Sequence, residues 1–240
     1  MMTLTIRRPA TATEAPSGEF SCVAVWADSP GVSWHGTWDG IGMRGNSSLG
    51  ARLEDVVIGP DALLGAPGDQ IWYVFEVVAP YFLTAMAGTY LGVAQAALTE
   101  ATEHLKRRRH AHTGRSISGE PVLQHRLGVL WAELQATRRL VYWAAEEADA
   151  GGRDALPAIA SAKAQVADTA VRVANEAMTL CGGAAYRENS RLAQKLRAAR
   201  APQEMAPTTD LLNVRGTLQL GAEPVELRQP DSLLGEASAT

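Results

Sequence analysis

The 240-residue chain changes character near residue 68, and no other feature limits its fold so strongly. Before that point Gly and Pro are frequent, and apolar residues alternate or fall in short runs. After it Ala, Leu, Glu and Arg dominate and helix breakers are few. The first pattern predicts strands over residues 3–7, 20–26, 32–38 and 51–58. Asp28-Ser-Pro-Gly31, Asp39-Gly40 and Gly59-Pro-Asp61 supply turns between them, and residues 9–18 read as a polar loop. The second pattern predicts long helices. Pro80 suits a helix start, so residues 69–79 and 80–109 are expected as separate segments. On the latter, Leu83, Met86, Tyr90, Val93 or Ala94, Ala97 and Leu105 recur at three-to-four-residue spacing and define a buried stripe.

A second helix is predicted over 120–150, with Val122, Leu127, Leu130, Leu134, Leu140 and Val141 on its apolar face and Gly151-Gly152 as its stop. A third covers 156–181, with Val166, Ala170, Val173, Ala177 and Leu180 facing inward, and ends at Gly182-Gly183. Shorter helices follow over 188–200 and from Thr208, whose hydroxyl suits an N-cap. The fold class is α+β: a partial antiparallel β-domain (1–67), then an up-down helical bundle (68–221) and a flexible tail (222–240). Trp34 and Trp38 alternate along a strand and are expected to pack a core or an interface.

A net charge of −4 with 46% hydrophobic residues argues against a nucleic-acid partner, despite the basic run Lys106-Arg-Arg-Arg109. Cys22 and Cys181 lie far apart without metal-ligand spacing, so no metal site is expected and a reducing, cytoplasmic setting fits. The N-terminal residues lack the pattern of a signal peptide. The apolar stretch 71–98 is interrupted by Glu76, Pro80, Thr84, Thr89 and Gln95, and reads as a buried helix, not a membrane span.

Three collinear blocks narrow the reading. The first is Trp38-Asp-Gly-Ile-Gly-Met-Arg-Gly-Asn-Ser-Ser48 with Leu53-Glu-Asp-Val-Val-Ile-Gly-Pro60. The second is Gly92-Val-Ala-Gln-Ala-Ala-Leu98, then Lys106–Arg109, Gly114 and Gln124-His-Arg-Leu127. The third is Cys181-Gly-Gly-Ala-Ala-Tyr186, Arg197-Ala-Ala-Arg200 and Met205-Ala-Pro-Thr-Thr-Asp210. In this order they resemble the later part of the acyl-CoA dehydrogenases: the end of the middle β-domain and the C-terminal helical bundle. The family's N-terminal domain, and the strand that lies against the flavin, have no match in the sequence.

The resemblance implies FAD as cofactor and an acyl-CoA thioester as substrate, oxidised to the 2,3-enoyl product. It also implies a homo-oligomer, or a hetero-oligomer with a full-length homologue, because the family's FAD site is shared between subunits. The reaction needs a carboxylate base near the alpha carbon and hydrogen bonds that polarise the carbonyl. The position matching the usual base is Ala206, which takes no proton. The alternative base position, on the first bundle helix, falls at Phe82. Glu204, two residues before the vacant slot, is either a displaced base or an exposed loop carboxylate, and Glu76 is a more distant candidate. Arg108 or Arg109 matches an arginine that contacts the FAD pyrophosphate of the partner subunit, with Gly114 as the matching glycine. Without the resemblance, the same run is a solvated helix end that complements the dipole. Gly182-Gly183 is either a helix C-cap or a turn that lets the backbone approach the cofactor. Thr208 matches a threonine near the flavin diphosphate and also suits an N-cap. Arg44, Asn46 and Ser47 fall near where the family's substrate and flavin meet, or form a tight polar turn. The missing domain and the vacant base favour the alternative, a non-catalytic paralogue that pairs with a full-length homologue and completes a shared FAD site, whereas the family resemblance favours the dehydrogenase.

Overall fold

The computed structural model describes residues 1–7, 20–46 and 48–216; Ser47, the loop read over 9–18 and the tail beyond 221 lie outside them. Two small antiparallel sheets precede a helical bundle. Strand β1 (Met2–Arg7) pairs with β2 (Phe20–Val25), from Met2 opposite Val25 to Arg7 opposite Phe20. Strand β5 (Leu63–Leu64) pairs on the other edge of β2. Between them β3 (Val32–His35) and β4 (Gly50–Leu53) form a separate hairpin. Both strands are shorter than the runs 32–38 and 51–58 suggested. Trp38 therefore leaves the strand, and its indole N–H donates to the Met43 carbonyl at 2.9 Å. Trp34 and Trp38 stay 46% and 39% exposed, so neither is a core residue.

Helix α1 (Gln70–Trp72), a π-helical turn (Tyr73–Val78) and α2 (Ala79–Arg107) run as one helix, so the chain does not break at Pro80 as expected. Pro80 lies just after the π turn inside this continuous helix, where it removes one N–H donor from the backbone ladder. The wider π turn before it absorbs the ring that would otherwise clash with the preceding carbonyl. The stripe on α2 is buried at Leu83, Met86, Tyr90, Ala94, Ala97 and Leu105, which decides for Ala94 over Val93. Residues 70–107 are long and apolar enough to cross a membrane by composition alone, yet this stripe forms the centre of the bundle core.

Helices α3 (Pro121–Asp149) and α4 (Ala155–Cys181) pack on α2 and on each other. On α3 the core residues are Leu130, Leu134, Thr137, Val141 and Ala144, whereas Val122 is 64% exposed. At 100° per residue, Val122 lies about 80° around the helix from the middle of that stripe. Helix α4 is the most enclosed element, with Val166, Ala170, Val173, Ala177 and Leu180 all buried. Thr137 and Thr169 share a buried 2.8 Å hydrogen bond between α3 and α4. Helix α5 (Arg191–Glu204) opens on Ser190, whose Oγ accepts from the Ala193 N–H. It continues past Arg200, through a buried Pro202. Helix α6 (Thr209–Gly216) follows and buries Leu212.

Candidate functional site

The residues singled out from sequence fall in two regions. The first is the bundle end where α2 and α4 finish. Helix α2 stops at Arg107, and Arg108 turns extended with its N–H still on the His104 carbonyl. Ser116 holds this exit by donating its Oγ–H toward the carbonyls of Leu105 (3.1 Å) and Lys106 (3.0 Å), and Arg109 bridges to Ser116. The excursion closes at Gly114, whose positive φ of 67° suits glycine and whose N–H donates to the His110 carbonyl at 2.8 Å. The Arg109 guanidinium donates to the Gly114 carbonyl at 2.9 Å, while Lys106 pairs with Glu103 at 2.9 Å. Arg108 is exposed and forms no ion pair with a described residue. The two arginines therefore differ: Arg109 shapes the loop, and the Arg108 guanidinium pairs with no described residue.

The end of α4 lies in the same electrostatic neighbourhood. Burial pushes the Cys181 thiol up to about 11; Glu100 adds to the shift, and Arg107 and Arg108 oppose it. Burial also lowers the His104 pKa, and Arg108 and Arg107 lower it further against Glu100. Just beyond Cys181, Gly182 has φ 61° and ψ −152°, a conformation open to glycine almost alone. A Cβ would meet nothing within 4 Å at either glycine, so the two differ in backbone conformation alone: Gly182 has a positive φ and Gly183 does not. Among the described residues nothing crowds the second glycine, and it is exposed.

The second region is the seam between the 38–48 segment and α5. Gly42 packs so closely on α5 that a Cβ would lie 2.4 Å from the Arg197 carbonyl oxygen. Met43, with φ 52°, accepts from the Asn46 N–H at 2.8 Å, and the Asn46 side-chain amide donates to Ser48 Oγ at 2.7 Å. On one side of this turn Arg44, Asn46, Glu188, Arg191 and Arg197 line a cavity of about 530 Å³. On the other, Trp38, Ile41, Met43, Arg200, Glu204 and Met205 line a more apolar one of about 340 Å³.

Glu204 ends α5, exposed, with Arg200 at 3.4 Å. Ala206 is exposed, and Pro207 follows it through a cis peptide bond. The Thr208 carbonyl accepts from the Leu212 N–H at 3.1 Å and so opens α6. Its exposed hydroxyl makes no hydrogen bond with a described residue, so the expected side-chain cap is not formed. Glu204, Thr208, Thr209, Asp168 and Asp210 line a further cavity of about 370 Å³, and the buried Thr209 hydroxyl has no hydrogen-bond partner among the described residues. Phe82 is 45% exposed on α2 and lines none of these cavities. Glu76 lines a different one, with Tyr81 and Asp149. Among the described residues no group of three His, Cys, Asp or Glu is placed to hold a metal.

Sequence reasoning missed Lys163. It lies on the buried face of α4 with none of its surface exposed, and its ammonium reaches the segment carrying Ala206. The available signal was a lone lysine inside an alanine-rich apolar stripe.

Residues 83–212 match the family described as acyl-CoA dehydrogenase, C-terminal domain. Cyclohex-1-ene-1-carbonyl-CoA dehydrogenase of Geobacter metallireducens is 26% identical over 200 residues, covering 82% of this chain and 51% of that protein. The probable acyl-CoA dehydrogenase YngJ of Bacillus subtilis is 29% identical over 183 residues, covering 75% of this chain and 46% of that one. The solved butyryl-CoA dehydrogenase of Megasphaera elsdenii superposes with a TM-score of 0.81 at 22% identity, over 92% of this chain and 56% of that one, a likeness of fold. The chain thus spans about half the length of the relatives it matches. Family homologues are FAD flavoproteins. With that domain matched over more than half of its residues, this chain belongs to the acyl-CoA dehydrogenase family.

Proposed function

We propose that this chain is a subunit of an acyl-CoA dehydrogenase-type flavoprotein that dehydrogenates an acyl-CoA thioester only together with a second chain. The observation that carries the proposal is the bundle end where Arg108, whose guanidinium pairs with no described residue, acts electrostatically on Cys181, the residue that precedes the exposed glycine turn Gly182-Gly183. A guanidinium suits a phosphate oxygen pair, and a backbone without a side chain suits close approach. These residues fit the phosphate-bearing half of FAD. When bound, FAD supplies the hydride acceptor for oxidation at the beta carbon.

The chain's own groups account for binding better than for proton removal. Arg44, Asn46 and Arg197 line a cavity suited to an anionic, phosphate-bearing portion of substrate. Ala206 offers no base, and Glu204 is exposed beside Arg200, a poor arrangement for a carboxylate that must meet a carbon acid. A second copy would carry the same Ala206, so the base and the flavin-ring wall come from a different, fuller-length chain, in a hetero-oligomer set in the cytoplasm. Ala206 favours a second reading in which the chain is purely structural and completes a shared FAD site without turning over.

The test is the visible absorption spectrum of the purified chain, alone and co-expressed with a full-length homologue. A flavin band that appears with the homologue and weakens on Arg108→Ala supports the proposal. Bleaching of that band by an acyl-CoA separates the catalytic reading from the structural one. A chain that carries no flavin in either preparation overturns both.

A further inference from the structure

We infer that Lys163 is the positioning residue of the 202–207 segment and fixes the direction in which position 206 is presented. Its ammonium donates to the carbonyls of Pro202 (2.7 Å), Met205 (3.2 Å) and Pro207 (2.6 Å). A lysine carries three N–H donors, and all three are used, on acceptors within one six-residue stretch. None of those acceptors is charged. Enclosing a cation without a counter-charge is costly, and burial lowers the pKa of this group. A neutral apolar side chain would fill the same space at lower cost. What the ammonium adds is geometry: donors diverging from one atom, which the planar fork of an arginine does not reproduce.

The geometry acts on position 206 directly. The Met205 and Pro207 carbonyls flank Ala206, and both are drawn inward toward α4, while Ala206 itself is exposed. The Tyr90 hydroxyl donates to Met205 Sδ at 3.2 Å, a second anchor on the same residue from α2. The Pro202 carbonyl, near the end of α5, is the third fixed point, and α6 starts three residues after Ala206. The segment is thus tied to the most enclosed helix of the bundle at both ends of the turn. It borders the cavity lined by Met205, Glu204 and Trp38. That this cavity belongs to a ligand site rests on the function proposed above; the clamp itself does not.

Amide hydrogen exchange on the full chain tests it. Lys163→Met should speed exchange of the Met205 and Leu212 amides by about tenfold or more while core amides of α2 and α3 keep their rates, as local opening requires. Lys163→Arg should behave like the Met variant. Unchanged exchange over 203–212, uniform acceleration through the bundle, or full protection with Arg would each overturn the inference. Should the variants fail to fold, the native chain still decides it. A lysine ammonium resonance with slowly exchanging protons at neutral pH, assigned to Lys163, supports the clamp, and rapid solvent exchange at that ammonium refutes it. Flavin content is measured in parallel. A chain without flavin in every background defeats the functional reading and leaves the exchange result to judge Lys163.

Discussion

Cys181 and His104 show how single residues report on the α2–α4 end. The folded thiol of Cys181 titrates at about 11 because burial disfavours its anion, against an ordinary value of 9.0. Between those values the unfolded chain has lost the proton and the folded chain has kept it. The unfolded state then binds fewer protons, so stability falls as pH rises through that window, by up to about 3 kcal/mol for two units. Urea midpoints at pH 8 and 10.5 should drop more for the native chain than for Cys181→Ala, which removes the titrating group and leaves Tyr90 and Cys22 alike in both. His104 has the opposite sense. Its folded pKa is lowered, first by burial and then by Arg108 and Arg107, so the unfolded chain protonates first on acidification. Stability contributed by neutral His104 is present above about 6.5 and is lost as pH falls through the folded value. An anion on Arg108 would relieve part of the cationic pressure. Pyrophosphate should therefore raise the His104 pKa followed by NMR, and no shift would mean that Arg108 is not an anion contact.

At the scale of elements, the two glycines after α4 separate folding from function. Gly182→Ala places a side chain in a conformation that costs of order 1–3 kcal/mol, and a fall of that size in the urea-unfolding free energy is expected. Gly183→Ala meets open space and should alter stability by less than about 0.5 kcal/mol. On the proposed function it should nonetheless lower flavin content in the co-expressed complex. Equal stability losses at both sites would make the pair a simple helix stop. The sequence made this element legible because Val166, Ala170, Val173, Ala177 and Leu180 keep helical spacing up to a Gly-Gly stop. Pro80 misled for a physical reason: a π turn accommodates its ring, and no local rule announces that turn. The exit of α2 at Arg107 was equally hidden, because Ser116, nine residues on in the chain, supplies the capping hydroxyl. Lys163 was beyond reach for a related reason. Its acceptors are carbonyls 39 to 44 residues away, and carbonyls carry no sequence signature.

For the whole molecule, the apolar surface still facing water is the main fact to explain. Helix α3 carries apolar residues on both flanks of its core stripe: Val122, Val129 and Trp143 on one, Trp131 and Tyr142 on the other, all at least 43% exposed. Ile71, Trp72, Tyr81 and Phe82 add a further group where the long helix begins, with Tyr81 at 79%. Isolated exposed apolar residues are ordinary, but clustered aromatics on helix faces mark surfaces that another chain covers. Family members form oligomers, so on the proposed function two kinds of cover compete for these faces: a second copy and a full-length homologue. Light scattering on the chain alone should report species larger than a monomer. Trp131→Ser with Tyr142→Ser should shift them toward monomer with little change in unfolding free energy, because neither side chain is in the core. Co-expression with a full-length homologue should replace the mixture by one defined complex, which the same double variant weakens. A monodisperse monomer that binds no apolar dye would remove the reason to expect a partner, and with it the shared-site reading.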